Sequence, residues 1–172
     1  FVKATRSNIQ DIEAAVIELK AKALRHKFED TFLYGDTAVD AKSFMGLRKL
    51  IATGTASAQV IAAGATGATL TLGMLDQLID AVKGQKPDLL LMSRRSRRKI
   101  VSLMRAIAGW QQAFDQAGNL VELYNGIPIG ITDWQLDTHT LVGSVETLTT
   151  GGACSVIYAL AFGEGAVAGV SA

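Results

Sequence analysis

A short unbroken apolar run that passes straight into a helical pattern constrains this chain more than any other feature. Residues 87–109 read PDLLLMSRRSRRKIVSLMRAIAG. Leu89, Leu90, Leu91 and Met92 are contiguous, and a run of that length behind a proline turn reads as a strand buried on both faces. Ser93 suits a helix cap, because its hydroxyl can accept from an otherwise unpaired amide of the first turn. Beyond it Ile100, Leu103, Met104, Ile107 and Trp110 recur three or four residues apart and form one apolar stripe. Gly109 suits the stop.

The first turn of that helix is unusual. Arg94, Arg95, Arg97, Arg98 and Lys99 stand where the helix dipole favours negative charge, each costing about 0.3–1 kcal/mol when exposed. Two readings follow. Either this is a solvated, self-repelling helix start, or the cations meet acids on another subunit, or phosphate. An isolated chain gains nothing from them, so something outside the helix is expected to offset the cost. The cluster is a local feature, because the net charge of the whole chain is only +1. That balance argues against a protein built mainly to bind nucleic acid.

With 172 residues, 49% hydrophobic and 19% charged, the chain suits one ordinary domain with a packed core. The single cysteine, Cys154, rules out an internal disulfide and any multi-cysteine metal site. No stretch reaches the roughly 18–20 uninterrupted apolar residues of a membrane span, and no signal-peptide pattern is seen. The sequence begins at Phe1 without a methionine and ends at Ala172 within a strand-like run, so a piece of something longer is expected.

In chain order, residues 7–29 predict a long helix. Ser7 with Gln10 makes a capping box. Ile9, Ile12, Val16, Leu19 and Ala23 form a narrow stripe suited to lying across a sheet, opposite a face carrying Glu18, Lys20, Lys22, Arg25 and Lys27. Residues 31–36, TFLYGD, predict a short extended piece ending in a Gly-Asp turn. Phe44, Leu47, Leu50 and Ile51 predict a short helical turn plugged into the core. Residues 52–71 are rich in Ala, Gly, Thr and Ser and predict a mobile surface excursion. Its AGATGAT lacks the lysine of a phosphate-binding loop.

A third helix is expected after Thr71, its cap, with Leu75, Leu78, Ile79 and Val82 as its stripe and Gly84 as its end. After the basic helix, residues 120–124 and 127–132 flank Asn125-Gly126, a hairpin signal. Pro128 places its strand at an edge or at the start of pairing. Residues 134–150 read as a polar loop and 153–162 as the last strand. Helices and strands mix without strict alternation, so the expected class is α+β.

The catalytic inventory is thin. His26 and His139 are far apart in sequence, and Cys154 at the head of an apolar strand reads as a structural thiol. No motif supports a Cys154–His139 pair. Asp30, Asp36 and Asp40 lack the calcium-loop pattern and read as turn and cap residues. No enzyme activity, metal, cofactor or small-molecule substrate is expected.

Several phrases in this order resemble the major capsid proteins of tailed phages, with their Hong Kong 97-like fold. They are FMGL at residues 44–47, PDLLLMS at 87–93, GIPIGITD at 126–133 and IYALAFG at 157–163. The resemblance implies an α+β capsid fold fragment, with a spine helix at 7–29 and an axial domain built on a central mixed sheet flanked by helices. It divides the chain into a peripheral-domain portion (1–51), a flexible segment (52–71) and the axial domain with a return strand (72–172). An N-terminal arm and extended loop would precede Phe1, and further strands would follow Ala172. The function implied is that of a structural subunit of an icosahedral phage or prophage shell, located in the virion and assembled in the host bacterial cytoplasm. It would act by self-assembly into hexamers and pentamers. Its partners would be copies of itself and, non-specifically, packaged DNA, with no membrane. Arg94, Arg95, Arg97, Arg98 and Lys99 would be subunit-contact or anion-facing residues. The alternatives are a nucleic-acid-binding module using those cations, an encapsulin nanocompartment shell, which shares the fold, and a hydrolase using Cys154.

Overall fold

The computed structural model describes residues 12–53, 60–61, 63, 68–109, 111–114, 118–135, 140–142, 145–147 and 154–163. They fall into two compact units, Phe1–Thr53 and Gly54–Ala172.

The first unit holds α1 (Ile12–Tyr34) and α2 (Leu47–Thr53). α1 runs past Glu29 and absorbs most of the expected extended piece at 31–36. The reason is partly local and partly packing. Thr31 satisfies its hydroxyl within the helix by donating to the Lys27 carbonyl at 2.7 Å. Phe28 and Phe32, one turn apart, stack with centroids 6.4 Å apart. Leu33 is buried at 2% exposure, giving the last turns a packed side. Of the expected stripe, Val16 and Leu19 are exposed, at 43% and 65%. Exposed Glu18–Lys22 and Arg25–Glu29 pairs lace the charged face. The helix ends at Gly35, whose amide donates to Thr31 O at 2.7 Å. Gly46 then donates to Gly35 O at 2.9 Å, so two backbones touch. A Cβ on Gly46 would sit 2.5 Å from the Gly35 nitrogen, which only glycine avoids. This contact seats the expected helical turn, where Leu47 is buried while Leu50 stays exposed.

The second unit holds α3 (Leu72–Ala81), β1 (Leu89–Met92), α4 (Arg94–Ala106), β2 (Gln111–Phe114), β3 (Leu120–Tyr124), β4 (Ile127–Ile131), β5 (Thr140–Val142), β6 (Val145–Thr147) and β7 (Ile157–Leu160). Five strands form one mixed sheet in the order β2-β3-β4-β1-β7, and β5-β6 pair separately. β1 runs parallel to β4, with Leu90 opposite Ile129, and antiparallel to β7, with Leu90 opposite Ala159. This gives the class as α+β.

Thr71 caps α3 by accepting from the Met74 amide at 3.4 Å. Leu75 of α3 joins Leu90, Met92, Ile100, Met104, Tyr124, Ile127 and Ile129 in one core. The expected burial of β1 on both faces holds for one face only. Leu90 and Met92 are fully buried, whereas Leu89 and Leu91 are half-buried. α4 ends as its sequence suggests, with one shift. Ala108 takes the left-handed conformation (φ 52°) and Gly109 donates back to Met104 O at 2.9 Å. The stripe closes early as a result, because Ile107 becomes an exposed cap residue.

The β3–β4 hairpin turns on Asn125 and Gly126, with φ 51° and 74°, as a two-residue loop of this type requires. Pro128 sits inside the sheet, just before the β1–β4 ladder opens at Ile129, which is the second of its two expected placements. β2 was not expected, because QQAF lacks apolar alternation; its register comes from β3, with Gln112 opposite Glu122. The expected polar loop at 134–150 contains the β5–β6 hairpin. The last strand is shorter than 153–162, since regular pairing covers Ile157–Leu160. Trp110, the helix start before Ile12 and much of the 52–71 excursion lie outside the described residues.

Candidate functional site

The start of α4 is positioned by the strand before it. β1 delivers Ser93 in an extended conformation, and its hydroxyl accepts from the Ser96 amide at 3.3 Å. Both serines are buried, at 2% and 6% exposure, so the capped turn is anchored beside the core while its charged side chains project outward.

The structure separates the five cations. Arg94 forms a bidentate pair with Asp133, just after β4, with Nη2 donating to Oδ2 at 2.7 Å. Arg97 forms a bidentate pair with Glu122 of β3. The Arg97–Glu122 pair is the more enclosed, with side chains 35% and 14% exposed, whereas the Arg94–Asp133 pair is 73% and 60% exposed. Hydrogen bonding to these carboxylates raises the pKa of both guanidinium groups further above their ordinary value. The expectation that an isolated chain gains nothing from the cluster is therefore corrected for two of its members. Their acids lie on the same chain, brought alongside α4 by the sheet. Sequence reading missed Glu122 and Asp133 because each sits in or next to a strand, 25 or 39 residues away.

Arg95, Arg98 and Lys99 are exposed. Arg98 lines two shallow open concavities. One is shared with Arg94, Arg97, Ile131 and Asp133, and the other with Arg97, Val101, Ser102 and Arg105. Arg98, Ser102 and Arg105 recur at helical spacing and continue the positive surface down α4. Such a surface attracts carboxylates or phosphates.

Two of the other chemical candidates, Asp36 and Asp40, take turn roles. Asp36 accepts from the Ala38 amide at 2.9 Å and pairs with Lys49 at 2.9 Å. These contacts, the amide first, hold its carboxyl below the usual carboxylate range. Asp40 accepts from the Lys42 amide at 3.0 Å, a turn role like that of Asp36. Cys154 is half-buried and outside any disulfide, and His139 lies outside the described residues. Among the described residues no group of His, Cys, Asp and Glu is arranged to hold a metal ion, and no helix is long and apolar enough to cross a membrane.

Comparison with known proteins gives one finding. The profile of the family described as SU10 major capsid protein matches residues 3–142, a span that includes α1, the whole strand-to-helix passage and the β3–β4 hairpin. No curated protein and no solved structure matches the chain. The chain belongs to the SU10 major capsid protein family, a structural and non-enzymatic family of phage shell proteins.

Proposed function

We propose that this chain is part of a self-assembling subunit of an icosahedral phage shell, with a Hong Kong 97-like fold and capsomers that are hexamers and pentamers. The observation that carries this reading is the family match across residues 3–142. In this reading α1 is the spine helix, residues 1–51 belong to a peripheral domain, and 72–172 form the axial domain. The mixed sheet, with α3 and α4 contributing to its core, supports the axial assignment. The family match also favours a virion shell over an encapsulin compartment.

Within the basic cluster the roles divide. Arg94 and Arg97 brace α4 against the sheet, and Arg95, Arg98 and Lys99 face neighbouring subunits or, without sequence preference, packaged DNA. Charged surfaces on a chain of net charge +1 suit contacts between copies, since one copy can supply the acids that another's cations require. Electron microscopy of the protein, expressed alone or with its assembly partners, tests the reading. Closed shells built from six- and five-fold clusters are expected. A protein that stays monomeric under all such conditions would sink it.

A further inference from the structure

The tip of the β3–β4 hairpin carries chemistry that shell building does not call for. Asn125 and Gly126 are both exposed there. The Lys86 ammonium donates to the Asn125 carbonyl oxygen at 2.6 Å. The Asn125 side-chain amide donates to Asp76 Oδ1 at 3.2 Å, the same oxygen that accepts from the Tyr124 hydroxyl at 2.7 Å. An asparagine followed by glycine is chemically exposed in its own way. The next backbone nitrogen reaches the side-chain carbonyl carbon with no Cβ in its path, and glycine gives the turn freedom to bring them together.

We propose that Asn125 is a site of spontaneous deamidation whose rate is set by the Lys86 tether. In the first step the Gly126 nitrogen bonds to Asn125 Cγ and gives up its proton. The Cγ–Nδ2 bond breaks, and the amide nitrogen leaves as ammonia with that proton. The product is a five-membered cyclic imide. Water then adds to one of the two imide carbonyls. Cleavage of one C–N bond restores the normal chain with an aspartate, and cleavage of the other leaves an isoaspartate. No electrons are gained or lost.

The attack requires rotation about the Asn125 Cα–C bond, which swings the Asn125 carbonyl away. Lys86 holds that oxygen, and Asp76 holds the side-chain amide, so both torsions of the reaction are restrained. Conversion would replace the amide donor with a carboxylate close to Asp76, trading a hydrogen bond for like-charge repulsion. An isoaspartate would also lengthen a two-residue loop whose paired positive φ values match the strand twist. Either product loosens the hairpin from α3.

The test is intact-mass analysis and peptide mapping after incubation at mildly alkaline pH and physiological temperature. The samples are the unaltered protein, Lys86→Ala, Lys86→Arg, Asn125→Gln and a free peptide covering residues 120–131. Conversion at Asn125 should be slowest in the unaltered protein and in Lys86→Arg, which keeps the donor. It should run several times faster in Lys86→Ala, fastest in the peptide, and be absent in Asn125→Gln. Circular dichroism separates a local release of the tip from global unfolding of the Lys86→Ala chain. The proposal is overturned if Asn125 stays intact in every folded form while the peptide converts. Equal rates in Lys86→Ala and the unaltered protein would overturn it as well.

Discussion

Arg97 and Arg98 are adjacent and chemically identical, yet the fold gives them opposite work. Arg97 neutralises Glu122, whose side chain is only 14% exposed, so removing the arginine strands a largely enclosed carboxylate. Arg97→Ala should cost about 1–2 kcal/mol in urea unfolding. Arg98→Ala, at an exposed position, should change stability by no more than about 0.5 kcal/mol. Equal effects for the two would show that the Glu122 pair contributes nothing in solution. Tyr124 supplies a second residue-scale expectation. Burial, helped by the bond to Asp76, pushes its phenol well above its ordinary value of 10.0. The folded state therefore keeps the phenol neutral while the unfolded chain ionises it. That contribution is fully present below about pH 10 and is lost as pH rises beyond it, toward the raised folded value. Thermal melting on an alkaline series should show a steep loss of stability that Tyr124→Phe makes shallower. A slope unchanged by the substitution would contradict the assignment.

The strand-to-helix passage shows which parts of an element are written locally. Four apolar residues, a serine and a three-four repeat specify β1, the cap and α4 without reference to anything distant, and the structure has all three. The Asn-Gly hairpin is legible for the same reason, since its turn chemistry sits within the turn. β2 and the β5–β6 pair are not legible, because their strand state depends on partners rather than on their own pattern. The last turns of α1 depend on packing around Leu33 and on a glycine contact eleven residues on, which a helix-breaking Gly-Asp pair disguises. At the candidate site the cations were visible in sequence but their acids were not, and this changes the energetic reading of the cluster. Because β1 is flanked by β4 and β7 and buries Leu90 completely, it is where the second unit should be most sensitive. Leu90→Ala should cost about 2–5 kcal/mol by chemical denaturation. Leu89→Ala, on the half-covered face, should cost distinctly less. The reverse order would mean that the core lies on the other side of the sheet.

A shell subunit must be stable alone yet keep surfaces that are satisfied only in company, and in the proposed reading the α4 start has both kinds of charge. Arg94 and Arg97 are already committed within the chain, so they cannot supply the free energy of a contact without being released. Arg98 and Lys99 are exposed, and Arg98 lines a concavity on each side, so recruiting these two costs only their hydration and side-chain freedom. Replacing both with alanine should therefore leave the melting temperature of the full-length subunit unchanged. The same change should slow assembly, or make assembled shells come apart at lower salt, because the lost contacts are electrostatic and screened. Sedimentation of the full-length protein across a salt series reads both effects. Nucleic-acid binding by the same protein should be weak, indifferent to sequence and abolished by moderate salt. Should the double variant assemble normally at every salt concentration while losing tight, sequence-selective DNA binding, the cations would belong to nucleic-acid recognition, and the subunit contacts would have to be sought on other surfaces.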